Sequence, residues 1–572
     1  MKSPAPLCAL LSALIFPLLP FALRAQSPST PAEPAAFPVT IQVDASQSQG
    51  ELHPIWRFFG ADEPNYATMK DGRKLLTELG ALRPQQVYFR AHNMLCSGDG
   101  TPALKWGSTN VYTEDAQGRP IYNWTIIDRI FDTYLARGIR PLAQLGFMPE
   151  ALSSHPEPYQ HEWRPGLPYQ EIITGWAYPP KDYDKWRELA YQWVKHSVER
   201  YGRAEVEQWY WEVWNEPNGH YWKGTPEEWN KLYDYALDGI RRALPTARVG
   251  GPHVAGSGGA FMDGFLKHIV QEKNFANGEK GTPTDYLSFH AKGSPTFVDG
   301  HVRMGIANQM RAIDTGFATI AAIPELKAKP IIIGESDPEG CAACQGPQMG
   351  YRNGTMYSSY TAASFARKQD LAIKHGVNFE GAVTWAFEFE DQSYFPGFRA
   401  LASNGIDLPV LNVFRMFSKM GGNRITTHSS AEIPLDVMIK TGVREQPDVA
   451  AFASLEGRRL SIMMWHYHDD DVRGPDATVE ITATHLLGFT GSAQLKHYRI
   501  DENHSNSYAE WKRLGSPIAP NDEQYAQLQK AAQLASLNAG ESVAITNGTA
   551  TLKFNLPRQG VSLLVLELPS TP

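Results

Sequence analysis

The sequence predicts an α/β protein: a (β/α)8 TIM barrel with a C-terminal β-sandwich domain. Three observations carry that reading. Between about Arg57 and Phe417, short apolar runs alternate with amphipathic helical stretches, the pattern of a parallel sheet with crossover helices. Eight such runs fit a closed barrel with long loops. No glycine-rich nucleotide fingerprint follows the first of them, which counts against the doubly wound alternative. After about Gly421 the alternation stops, and strands separated by turns take over, as in a β-sandwich.

The eight barrel strands are read at Arg57–Ala61, Gln86–Ala91, Arg140–Leu145, Glu207–Val213, Arg248–Gly251, Tyr286–His290, Pro330–Gly334 and Gly381–Ala386. Among the helices between them, Asp184–Tyr201 is the clearest. Trp186, Leu189, Ala190, Trp193, Val194 and Tyr201 recur there at helical spacing. Thr225-Pro226-Glu227-Glu228 is a capping box with proline at the first helical position. In the C-terminal region the strands are Ala450–Leu455, Arg459–Trp465, Ala477–Thr482, Ala493–Ile500, Ala550–Phe554 and Val561–Leu566, with a helix at Asp522–Leu537. Phe37–Asp44 also alternates like a strand and is expected to join that region.

A chain of 572 residues exceeds one ordinary domain. Residues 1–25 read as an export signal: Lys2, an apolar stretch broken by Pro17 and Pro20, and Ala25 before the cut. Residues 26–55 form a lead-in and first strand, 56–420 the barrel, and 421–572 the sandwich. No run spans a bilayer, so the mature protein is expected to be periplasmic or secreted, without a membrane partner. A net charge of −8 and the absence of basic stripes argue against nucleic acid. Of four cysteines, Cys8 leaves with the signal, and Cys341 and Cys344 are expected as a disulfide or plain thiols. The sequons at Asn123, Asn353, Asn503 and Asn547 matter only in a glycosylating host.

In a barrel all strand ends open on one face, so residues distant in sequence meet there. The second strand ends in Arg90-Ala91-His92 and the fourth runs into Asn215-Glu216-Pro217. The sixth ends in His290-Ala291-Lys292, the seventh in Gly334-Glu335, and the eighth near Trp385. Two carboxylates facing each other across a cleft, Glu216 and Glu335, are the minimal equipment for breaking a glycosidic bond. One must hold a proton near neutral pH and the other must not. Arg90 is placed to keep one ionised. Asn215 could reach a sugar 2-hydroxyl, and Trp385 offers a flat face to a pyranose. Each has a structural alternative: Glu216 as a cap, Arg90 in an ion pair, His290 and Trp385 as core.

The sequence resembles glycoside hydrolase family 39, the β-xylosidase and α-L-iduronidase family of the retaining (β/α)8 clan. Trp211-Glu-Val-Trp-Asn-Glu-Pro217 is similar to the family's acid/base segment, and Pro330-Ile-Ile-Ile-Gly-Glu335 to its nucleophile strand. Tyr122–Asp132, Gly146–Leu152 and Tyr498–Tyr508 resemble further family segments. The resemblance implies Glu216 as general acid/base and Glu335 as nucleophile. Arg90, His92, Asn215, His290, Lys292 and Trp385 would bind an oligosaccharide. It implies no metal or organic cofactor, and it leaves a homo-oligomer open.

The match bends after the nucleophile. Glu335-Ser-Asp-Pro338 and Ser288-Phe-His-Ala-Lys-Gly293 look more like the iduronidase branch, whose lysine meets the sugar carboxylate. Lys292 therefore discriminates: it either faces the pocket or pairs with Asp337 or Glu339. Glu339 is a weaker nucleophile candidate beyond Pro338. Glu388, Glu390 and Asp391 either bind hydroxyls or face water, and His466, His468 and Asp469–Asp471 read as a strand end with an acidic turn. The expected function is an exo-acting β-xylosidase. A uronidase and a catalytically inactive carbohydrate-binding protein are the alternatives.

Overall fold

A computed structural model describes residues 35–569 apart from 487, 488, 490 and 539. The expected export signal lies outside the described residues. Among those residues no helix is long and apolar enough to cross a membrane.

Eight parallel strands close a barrel in chain order: Phe58–Ala61, Val87–Ala91, Ile139–Leu145, Tyr210–Val213, Arg248–Val254, Tyr286–His290, Pro330–Glu335 and Asn378–Thr384. Each lies on one of the eight apolar runs, because strands buried on both faces read as unbroken hydrophobic stretches. The helix Tyr183–Tyr201 starts one residue before the sequence-read span, where Asp182 accepts from the backbone of Asp184 and Lys185. Thr225 and Glu228 cap each other's backbone at the start of the helix Pro226–Ala243.

Inside the barrel, side chains alternate inward and stack in layers. The lower layer is apolar: Phe58, Tyr88, Leu142, Tyr210, Tyr286, Ile332 and Val383, closed by Trp385. The fifth strand contributes Gly250 there, since a Cβ would lie 2.5 Å from the Tyr286 ring. Two residues further along four of the strands the inward positions turn polar. Arg90, Gln144, Glu212 and Ser288 form a buried layer under the barrel mouth, with His290 above Ser288. The sequence change from Tyr to Arg, Leu to Gln and Tyr to Glu at i, i+2 thus places charge directly beneath the C-terminal rim.

Ten further strands form one mixed sheet, and three short two-stranded ribbons decorate the loops. Phe37–Glu51 lies in it, parallel to Ala477–Thr484 and antiparallel to Asn423–Ser429. Val39, Ile41, Ile462, Ile481, Leu495, Val543 and Leu564 share one core. Strands from both ends of the hydrogen-bonded path contribute to it, so the sheet folds over itself as two layers. The opposite face, with Phe452, Met463, Trp465, Val561 and Leu563, merges with the barrel core. This explains why Arg459–Tyr467 is buried on both faces. The helix read at Asp522–Leu537 ends at Ala531, and Ala535–Ser536 instead pairs at the sheet edge. Cys341 and Cys344 form a disulfide in the loop after the seventh strand.

Candidate active site

Glu335 is the last residue of the seventh strand and is 4% exposed. Its Oε1 lies 3.1 Å from Arg90 and 3.3 Å from His92 Nε2, and its Oε2 2.6 Å from Lys292 Nζ. Burial alone would raise this carboxyl. Lys292 first, then His290 and His92, outweigh burial and hold it well below the usual carboxylate range. Lys292 also sits 2.8 Å from Asp337. Burial works against its charge, but Asp337 and then Glu335 keep the ammonium protonated. Lys292 therefore lies at the nucleophile and pairs with Asp337 at once.

Glu216 follows the fourth strand in left-handed backbone (φ 44°), as does Trp214 (φ 68°). Such conformations cost energy in non-glycine residues and cluster at functional sites. The turn is held by the Glu216 N–H donating to the His253 carbonyl at 2.8 Å. The Glu216 side chain is 22% exposed and accepts from His290 Nδ1 at 2.8 Å. His290 Nδ1 is also 3.8 Å from Glu335. One oxygen of each carboxylate and a nitrogen of His290 lie within 4.8 Å of one another.

Arg90, fully buried, reaches three ways. Its Nε contacts both oxygens of Glu212 at 2.7 and 2.9 Å, and its two terminal nitrogens bond Glu335 and, at 2.8 Å, Asn215 Oδ1. Arg90 thus contacts Glu335, as expected of a residue placed to keep one carboxylate ionised, and makes its closest pair with Glu212. That residue also accepts from Gln144 at 2.8 Å and lies 2.7 Å from His253. Burial would raise Glu212, but Arg90 and then His253 hold it down to about 2. The Asn215 amide is oriented by the same guanidinium.

His92 Nδ1 lies 2.8 Å from Asp62, which is in turn paired with the buried Lys105. Burial raises Asp62, and Lys105 overrides it. Trp385 is buried beneath the site, with its ring 4.3 Å from His92 and 4.8 Å from the Arg90 guanidinium, and its backbone N–H donates to Asp337 Oδ1 at 2.8 Å. The eight residues singled out from the sequence thus meet in one cluster. Glu212, Asp337, Asp62 and Lys105 complete it. The signal for Glu212 was a charge at an inward position two residues after Tyr210, matching Arg90 after Tyr88.

The other acidic candidates lie elsewhere. Glu339 is enclosed by Arg352 at 2.8 Å and Arg399 at 2.6 Å. Glu388 is buried on the Gly405 N–H, and Glu390 accepts from the N–H groups of Asp71 and Gly72. Of this group only Asp391 is exposed. His466 and His468 contact backbone carbonyls, and Asp470 pairs with Arg303. Among the described residues, the triplet with metal-like spacing is Glu216, His290 and Glu335. Lys292 and Arg90 already supply positive charge to Glu335 there.

The family model described as glycosyl hydrolases family 39 matches residues 39–548. The chain belongs to family 39. It is 27% identical to a β-xylosidase of Geobacillus stearothermophilus, over 91% of this chain and 94% of that one. It is 25% identical to the α-L-iduronidase of Homo sapiens, over 88% of this chain and 74% of that one. A monomeric β-xylosidase from Caulobacter crescentus CB15 superposes with a TM-score of 0.71 at 20% identity, covering 92% and 99%. This family 39 chain is a glycosidase, and carbohydrate is its substrate class.

Proposed function

We propose that this glycosidase is a retaining, exo-acting β-xylosidase that releases xylose from xylo-oligosaccharides. The observation that carries the mechanism is the short gap between Glu216 and Glu335. Retaining enzymes hold their carboxyls ~5–5.5 Å apart, whereas inverting enzymes leave room for a water. Glu335, ionised among three basic side chains, attacks the anomeric carbon. Glu216, hydrogen-bonded to His290 and open to the cleft, protonates the leaving oxygen. Glu216 then takes a proton from water, which opens the glycosyl ester. Asn215, fixed by Arg90, offers its amide N–H to the sugar 2-hydroxyl, and His92, His290 and Trp385 shape the sugar site. Similarity to β-xylosidases along nearly the whole chain supports xylose.

One observation favours a second reading. Lys292 lies against the nucleophile, where an ammonium could meet a sugar carboxylate, as in a uronidase of the iduronidase type. Its charge is already met by Glu335 and Asp337, which favours a neutral sugar. A panel of aryl β-xyloside, α-L-arabinoside and α-L-iduronide tests the choice. Xyloside should be released fastest, and a faster iduronide would replace the first reading with the second. Export, read from residues 1–25, belongs to the same proposal.

A further inference from the structure

Glu335 is flanked by two buried cations, and each has a second carboxylate of its own. Arg90 contacts Glu335 at 3.1 Å but holds Glu212 through two contacts at 2.7 and 2.9 Å. Lys292 contacts Glu335 at 2.6 Å and Asp337 at 2.8 Å. Glu212 and Asp337 are both buried, so neither exchanges its partner for water. Each is anchored from a further side, Glu212 by Gln144 and His253, Asp337 by the Trp385 N–H.

This duplication matters because the charge of Glu335 does not last through the cycle. The inference rests on the proposed retaining mechanism. When a Glu335 oxygen bonds the anomeric carbon, the bond to the leaving oxygen breaks and the Glu216 proton goes to that oxygen. The carboxylate becomes a neutral ester. Without Glu212 and Asp337, Arg90 and Lys292 would then be buried cations lacking a counter-ion, a heavily penalised arrangement. We propose that Glu212 and Asp337 are standing counter-ions, positioning residues that keep Arg90 and Lys292 charged and in place while Glu335 is esterified.

The consequence is selective. In the free enzyme, losing the Asp337 charge leaves Lys292 still paired with Glu335. In the ester it leaves Lys292 unpaired. Asp337→Asn should therefore burden glycosylation while sparing the resting state. The Asn carbonyl still accepts from the Trp385 backbone N–H, so that anchoring bond survives the change. Glu212→Gln makes the same test on the Arg90 side.

The experiment is pre-steady-state release of a phenol from an activated aryl glycoside that the wild type cleaves. It uses the wild type, Asp337→Asn, Lys292→Met, the double variant and Glu212→Gln, each checked by circular dichroism. Asp337→Asn should slow phenol release about 100-fold, and by less than about 5-fold when Lys292 is already Met, because the other cation facing Asp337, Arg399 at 3.7 Å, keeps its closer partner Glu339 at 2.6 Å. Glu212→Gln should slow it similarly, and it decides the matter if Asp337→Asn does not fold. An equal loss in both backgrounds, or wild-type release in the single variants, overturns the assignment. Mass spectrometry after trapping with the matching 2-deoxy-2-fluoro glycosyl fluoride separates the two levels. Label away from Glu335 sinks the functional reading. Label on Glu335 with additive effects sinks only the counter-ions.

Discussion

His290 sets Nδ1 2.8 Å from Glu216 Oε1, while its Nε2 is buried without a hydrogen-bond partner among the described residues. The Nδ1 proton is donated to Oε1. The acid proton of Glu216 is then confined to Oε2. His290→Phe keeps a ring but removes that constraint. General acid catalysis contributes roughly 10²–10⁴-fold, so kcat/KM on aryl glycosides with poor leaving groups should fall about 10- to 100-fold. Substrates that leave without protonation should lose far less. A plot of rate against leaving-group pKa checks this, and an unchanged slope means that His290 does not position the acid.

Gly334 is the reason that His290 and His253 fit under the nucleophile. A Cβ there would lie 2.3 Å from His253 Nδ1 and 2.9 Å from His290 Nε2. Neither ring can retreat, since His253 meets Glu212 and His290 meets Glu216. Gly334→Ala should lower stability by about 1–3 kcal/mol through overpacking and lower kcat by moving His290. Thermal melting and steady-state rates on the same preparation check both effects. An unchanged melting point would show that the rings accommodate the methyl group.

The barrel was legible because its strands are buried on both faces and read as apolar runs, and the C-terminal strand Ala477–Thr484 because burial alternates along it. The end of the Asp522 helix was not, since Ala532–Leu534 carry no proline or glycine stop and only pairing with Arg499 and Tyr498 turns Ala535–Ser536 into strand. Around the site, residue types at strand ends pointed to Glu216 and Glu335. Partner choice did not follow from them. Arg90 could have served either catalytic carboxylate, and its closest bonds go to Glu212, a residue hidden inside a strand. Lys105 reaches Asp62 from a loop, a contact that no local pattern encodes.

Lys292 is the strongest of the charges that hold Glu335 ionised against burial. The acidic limb of kcat/KM reports the free enzyme's base or nucleophile. Lys292→Met removes a favouring charge and leaves the burial penalty, so the Glu335 carboxyl takes up its proton at higher pH. The acidic limb should move upward in pH, with activity recovering on its alkaline side. A profile that only drops in height, with its acidic limb in place, would assign Lys292 to substrate binding alone.

Lys368 lies fully buried on the helix Thr355–His375, with its ammonium 3.9 Å from the Phe365 ring and no carboxylate within salt-bridge distance among the described residues. Burial lowers its pKa from the ordinary 10.5 to about 7, and the more distant Asp337 offsets this only in part. The folded state thus binds this proton less readily than the unfolded chain does. Stability is undiminished above pH ~10.5, falls as pH drops from there toward 7, and stays reduced below 7, a loss on the order of several kcal/mol. Lys368→Met fills the same space without a charge to bury. It should raise the melting temperature at pH 6 to 7, and the gain should shrink as pH approaches 10. A gain independent of pH would point to packing rather than charge, and a loss at neutral pH would mean that the ammonium has a partner it needs.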